Sequence, residues 1–228
     1  MNIKEFIAFF KPSFDPVSVS EKFRSSIAAM LGMLFLGEAL SFLPDGGHPF
    51  ILFASMAAAS VLLYAVPHSP MAQPWPLLVG NLLSGAVGLL CGAIIPDPII
   101  AAACAVGMSI FVMHLTHSLH PPGAATSMIL AMNATQIQHY GWLWTGSAVL
   151  ANAVFSLLLA LVINNVIHAG RYPARHHILP THRDGVPFGV LAGEDIEWAL
   201  KKMEGVIDAD EEDLLEIFRL ATQHAQNK

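Results

Sequence analysis

Charge is what this sequence lacks. Only 12% of its 228 residues are Asp, Glu, Lys or Arg, against about 25% in an ordinary soluble domain. Between Ser25 and Gly170 there is no Lys or Arg, and the only acids are Glu38, Asp45 and Asp97. A soluble core of that length would have no solvated face. With 54% hydrophobic residues, the chain is also excluded from the disordered class, which needs the opposite balance. A formal net charge of −6 with no basic stripe argues against a nucleic-acid partner. Cysteine is scarce as well: Cys91 and Cys104 sit inside apolar runs and make no disulfide framework. No nucleophile–base–orienter set and no carboxylate–histidine metal set occurs, so neither an enzyme nor a resident cofactor or metal is expected. Met1–Arg24 has no apolar core of its own, so no cleavable signal is expected there.

What the sequence does have is long apolar runs, and runs of about 20 residues cross a bilayer as helices. Five are clear: Ser25–Leu43, Phe50–Val66, Trp75–Ile95, Pro98–Thr116 and Trp142–Val166. A sixth, Pro121–Ala134, is short and opens on two prolines, which suit a helix start and not a helix middle. Turn residues separate the runs at Pro44-Asp45-Gly46-Gly47, Pro67-His68-Ser69-Pro70 and Pro96-Asp97-Pro98. Lys4, Lys11, Lys22 and Arg24 on one side, with Arg171, Arg175 and Arg183 on the other, put both termini in the cytoplasm. The expected membrane is a plasma membrane, such as the bacterial inner membrane. The expected organisation is an interfacial segment (1–24), a transmembrane domain (25–170) and a small cytoplasmic helical tail (171–228). In the tail, Gly193–Met203 and Asp208–Leu220 read as amphipathic helices. Two such helices bury little alone, so they pack on each other, on the membrane domain or on another protomer of a homo-oligomer.

The two halves of the apolar region echo one another at an offset of 71 to 72 residues. His48-Pro49 returns as His120-Pro121, Ser55-Met56 as Ser127-Met128, and Asn81 as Asn152. The fold class expected is therefore an all-α polytopic membrane protein with six helical segments, arranged as two weakly similar three-segment repeats. Three crossings per half, the arrangement expected here, make the repeat inverted, as is common among transporters. Two crossings per half, with the short segments dipping in and returning, would make it parallel.

Polar groups in hydrocarbon are costly, so each one raises a functional question. Glu38 is the one acid well inside a run, suited to a proton relay, a gate or a place near the headgroups. His114, His117 and His120 fall three residues apart, so two of them can meet one ligand on a helix while the third points elsewhere. The prolines of His120-Pro121-Pro122-Gly123 start a helix abruptly, with N–H groups expected to be free at Gly123, Ala124 and Ala125. A helix start carries about half a positive charge and can hold a small anion without a buried Lys. Thr126 and Ser127 add hydroxyls, and His48-Pro49 with Ser55 offers the same in the other half. Two such stubs meeting at mid-membrane would make a positive waist. Asn81 and Asn152 can line a pore or bond between helices, Ser84, Gly85 and Gly88 let helices approach closely, and Asn164 and Asn165 are expected at the interface.

His120-Pro121-Pro122-Gly123-Ala124-Ala125-Thr126 resembles the signature of the HPP family of integral membrane proteins. Ser69-Pro70-Met71-Ala72-Gln73-Pro74-Trp75, followed by Gly80-Asn81-Leu82-Leu83-Ser84, is similar to that family's second signature. The resemblance covers about Phe23 to Asn165. Some members from photosynthetic lineages are implicated in nitrite transport, so the resemblance implies a permease for a small inorganic anion, with nitrite the first candidate. Many members also carry regulatory CBS domains after the membrane region; the residues that follow Gly170 here are too few for a CBS pair. Two other readings remain: a cation or metal carrier using Glu38 with His114 and His117, and a membrane scaffold whose acidic tail recruits a partner.

Overall fold

A computed structural model of the chain describes residues 18–42, 50–167, 172–174 and 218. The chain divides into two compact units, residues 23–181 and residues 1–22 with 182–228. The apolar helices lie in the first. His48, Pro49, the Pro44–Gly47 break and the two tail helices fall outside the described residues.

Helix α1 (Val19–Ser41) begins earlier than the apolar run that announces it. The Ser18 hydroxyl caps it by accepting from the Glu21 N–H at 3.2 Å, which occupies an N–H that the helix ladder leaves over. Next come α2 (Phe50–Ser60), a π-turn (Val61–Ala65), a 3₁₀ turn (Pro70–Ala72) and a second π-turn (Pro76–Gly80) that runs into α3 (Asn81–Ile94). Helix α4 (Pro98–Leu115) is capped by Asp97, whose carboxylate accepts from the Ile99 and Ile100 N–H groups at 3.0 and 2.9 Å. Helix α5 (Pro121–Met132) and α7 (Trp142–Ile167) match their apolar runs. Helix α6 (Ala134–Tyr140), a polar surface turn between them, has no counterpart in the apolar pattern. Gly141 then reverses the chain at φ 88°, ψ 147°, a conformation only glycine enters without strain.

Among the described residues, three helical stretches are long and apolar enough to cross a membrane: Pro76–Ile94, Pro98–Leu115 and Trp142–Val166. Helices α2 and α5 have 11 and 12 residues. At about 1.5 Å per residue they rise roughly 18 Å, well short of the roughly 30 Å of hydrocarbon.

The centre of the bundle is the triad α3, α4 and α5, with α2 against α5 and α7 against α3. Small residues permit this. A Cβ on Gly88 of α3 would lie 2.7 Å from the Ser127 Cα of α5, and one on Gly92 would lie 3.1 Å from the Ala131 Cα. Ala101, Ala105, Ala131 and Cys91 fill the layer between α3, α4 and α5. A second cluster joins α1, α2 and α7 through Ala28, Leu36, Met56, Ala59 and Ala160. Tyr64 lies across α1 so closely that Gly32 has no room for a side chain. Beside it, a crevice of about 10 Å³ is lined by Met33, Met56, Ser60, Tyr64 and Ser156, space for about one water.

Candidate functional site

The α4–α5 connection is built by its sequence. Helix α4 ends with His117 in the left-handed region at φ 51°. The Ser118 N–H bonds back to the Met113 carbonyl at 2.9 Å and the His117 N–H to the His114 carbonyl at 3.3 Å. That is a Schellman termination, in which glycine usually takes the position held here by His117. Its ring and that of His114 are exposed, whereas His120 is fully buried. His120 is extended at φ −141°, ψ 99°, as a residue before proline prefers, and α5 starts behind it.

This helix start corrects one expectation. A helix leaves its first N–H groups over, but here Pro121 and Pro122 have none to offer. The Gly123 N–H donates to the His120 carbonyl at 2.8 Å, and the His120 N–H to Met113 Sδ at 3.4 Å. The Gly123 donor expected to be free for an anion is therefore occupied, because the prolines that start the helix also remove donors from its first turn.

In place of donors, the structure gathers acceptors. His120 Nδ1 lies 2.9 Å from the Met71 carbonyl oxygen. A carbonyl only accepts, so Nδ1 carries the proton, and in the neutral ring Nε2 is a bare lone pair. Nε2 is buried without a partner. One turn further, the single hydroxyl of Thr126 faces Ser55 Oγ at 3.0 Å, the Pro122 carbonyl at 3.1 Å and Asn81 Oδ1 at 3.2 Å. The Asn81 amide is oriented by its own N–H bond to the Leu77 carbonyl at 2.8 Å, so Oδ1 can only accept. Ser127 directs its hydroxyl to the Ala124 carbonyl at 2.8 Å. Gly80 and Gly123 bring the strands of this cluster together. A Cβ on Gly80 would lie 2.8 Å from the His120 Cβ, and one on Gly123 would lie 3.0 Å from Ser84 Oγ. Ser84 Oγ is buried and unpartnered, as are Ser109 Oγ and the side-chain oxygens of Asn152 and Asn164.

A loop, residues 67–75, holds this junction from outside α3. Besides Met71 on His120, the Trp75 indole N–H donates to the Thr116 carbonyl at 3.1 Å. Gln73 donates to the Pro67 and Ser69 carbonyls and accepts from the Ala174 N–H at 2.9 Å. The Tyr172 hydroxyl, also from beyond α7, donates to the Ala72 carbonyl at 2.8 Å. Burial first, and the neighbouring Tyr64 phenol second, push the Tyr172 phenol well above its ordinary value.

Of the residues singled out from sequence, His120, Pro122, Gly123, Thr126, Ser127, Ser55 and Asn81 come together, while Pro121 is exposed beside them. Asn152 is buried on α7, one turn from Ser156, whose hydroxyl meets Met56 Sδ at 3.3 Å. Glu38 is exposed on α1, and no three His, Cys, Asp or Glu side chains meet as a metal site among the described residues. Asn164, near the end of α7, is fully buried and donates to the Leu63 carbonyl at 2.9 Å, where the π-turn after α2 leaves its ladder. The Met71 carbonyl and Tyr172 were missed, since a backbone oxygen and a distant tyrosine give no signal in a residue pattern.

The outward faces complete the assignment of class. Ile99, Phe111 and Leu115 on α4 and Leu143 and Val162 on α7 are between 61% and 86% exposed. In water such faces would aggregate; around a bundle whose polar groups are turned inward, they suit lipid. The chain is a helical integral membrane protein. More particularly, it belongs to the family described as HPP, transmembrane region, whose model matches residues 15–173. It is similar to two proteins of Dictyostelium discoideum, each named only as a transmembrane protein. One is 39% identical over 127 residues, covering 54% of this chain and 44% of the relative. The other is 33% identical over 153 residues, covering 65% and 49%. The chain thus spans about half the length of these relatives. No solved structure matches it.

Proposed function

We propose that this protein is a permease or channel that moves a small inorganic anion across the membrane, with nitrite the first candidate. The observation that carries the reading is the His120 junction: a fully buried imidazole with an unpartnered Nε2, beside Asn81, Ser84 and Thr126, inside a bundle with apolar outer faces. Uncompensated polar groups at membrane depth are expensive, and where they persist they mark a solute path. The two short helices meet through the Ser55 and Thr126 hydroxyls. Nitrite, rather than another small anion, comes from the family resemblance alone. Both ends of the membrane region lie on the cytoplasmic side in this reading, by the placement of Lys and Arg outside residues 25–170.

The test is uptake by purified protein in liposomes, with nitrite, formate, nitrate and chloride each supplied in turn. Uptake of at least one above protein-free liposomes, removed in His120→Ala, is expected. Equal uptake by the wild type and the variant refutes the assignment of His120. No uptake of any of the four refutes the function.

A further inference from the structure

We infer that the species recognised at His120 is a hydrogen-bond donor, the neutral conjugate acid of a weak-acid anion, so that anion and proton cross together. This rests on the transport reading above and names its substrate class. Three observations lead to it. First, no cation in the junction offsets the charge of a bare anion, and the one unpartnered hydroxyl beside it, Ser84 Oγ, is a single neutral donor. There is no Lys or Arg from Ser25 to Gly170, and the N–H groups of His120 and Gly123 are both taken. Second, the groups left over are mostly acceptors. Met71 fixes the proton on Nδ1 and leaves Nε2 as a lone pair. Asn81 Oδ1 and the Pro122 carbonyl compete for the one proton of Thr126. Third, the hydrogen-bond partners of His120, Asn81, Thr126 and Ser127 are neutral: carbonyls, a thioether, an amide and the Ser55 hydroxyl. On α3 and α4 and at their ends the other titratable side chains are Cys91, buried, and Asp97, Cys104, His114 and His117, all exposed, while Tyr172 is bonded to the carbonyl next to Met71.

An acceptor-rich, uncharged site repels an anion and binds O–H. Nitrous and formic acids each carry one acidic O–H to give to Nε2. Nitric and hydrochloric acids are too strong to be present in neutral form near neutral pH, so nitrate and chloride are refused. The proton travels on the solute and leaves with it, so no bond to the protein forms and no charge is moved.

Proteoliposomes loaded with a pH-sensitive dye separate the possibilities, each trace corrected by protein-free liposomes because neutral acids also cross lipid. Formate and nitrite should acidify the lumen. Their rates should fall about tenfold per unit rise in external pH, following the neutral fraction, and should not respond to a potassium–valinomycin potential. Nitrate and chloride should give no flux. His120→Asn keeps an N–H for the Met71 carbonyl and lacks the acceptor at the Nε2 position. It should lose formate flux at least tenfold while His117→Asn keeps it. Nitrite or chloride uptake that follows the potential without acidifying the lumen overturns this inference and leaves the anion permease standing. A His120→Asn protein with undiminished formate flux overturns it as well. Absence of any flux overturns both.

Discussion

Gly88 and Gly107 lie on neighbouring helices of the central triad, and the same substitution should act on them with opposite sign. On Gly88→Ala the new Cβ would stand 2.7 Å from the Ser127 Cα and 2.9 Å from its carbonyl carbon. Carbon atoms settle at about 3.5–4.0 Å, so α3 and α5 must separate by roughly 1 Å along their contact. Backbone cannot swing aside as a long side chain can. Overpacking of this kind costs about 1–3 kcal/mol, while alanine returns up to about 1 kcal/mol of helix propensity. The net expectation is a loss of about 1–2 kcal/mol. At Gly107 of α4 nothing lies within 4 Å of the added Cβ, so only the propensity gain of about 0.5–1 kcal/mol remains. The two variants should then differ by about 2 kcal/mol or more, on the order of thirtyfold in the folded-to-unfolded ratio. Equilibrium unfolding of the purified protein in mixed micelles, with wild type alongside, measures this. Equal stability of the two variants would refute the claim that α3 and α5 touch backbone to backbone at Gly88.

Four further outcomes are expected. Thr126→Val keeps the shape but removes the hydroxyl that Asn81 and Ser55 share, and should lower stability by about 1–3 kcal/mol in the same assay; Thr126→Ser should recover most of it. His117→Gly relieves a left-handed residue and should add about 1 kcal/mol with transport unchanged, whereas a loss of flux would give the exposed ring a direct role. Asp97→Ala should cost about 0.5–2 kcal/mol by uncapping α4, with Asp97→Asn close to wild type. Tyr172→Phe should cost about 0.5–1.5 kcal/mol and change the pH response. The folded-state value of the phenol is raised above its ordinary 10.0, so its contribution is whole below pH 10 and lost as pH climbs further, a decline the Phe variant should not share.

Much of the fold is legible because the bilayer writes it plainly. Trp142–Val166 and Pro98–Thr116 differ from their helices by a residue at an end, since a long apolar run has few alternatives in hydrocarbon. Where backbone satisfaction decides the outcome, the pattern is silent. Apolarity alone reads 50–66 and 75–95 as uninterrupted helices, yet each contains a π-turn. The Leu63 carbonyl in the first turn to the Asn164 amide is such a case. Helix α6 was invisible because a polar seven-residue turn has no periodicity to show. At the site, the grouping of His120, Ser55, Asn81 and Thr126 follows from their shared motifs. Which of their atoms stay unpaired does not. The prolines of the motif announce exposed donors, yet their larger effect is to delete them, and the histidine tautomer depends on a carbonyl 49 residues earlier in the chain.

The grip of Tyr172 and Ala174 on the 67–75 loop has a practical corollary for anyone cutting or tagging this polypeptide. The last helix ends at Ile167, and convention would place a reporter or a stop codon just after it. Doing so would amputate the phenol and the amide that fasten Ala72 and Gln73, one residue from the oxygen that orients the His120 imidazole. A junction placed beyond Ala174 spares that fastening, and the difference between the two truncations is a direct gauge of how firmly the loop must be held.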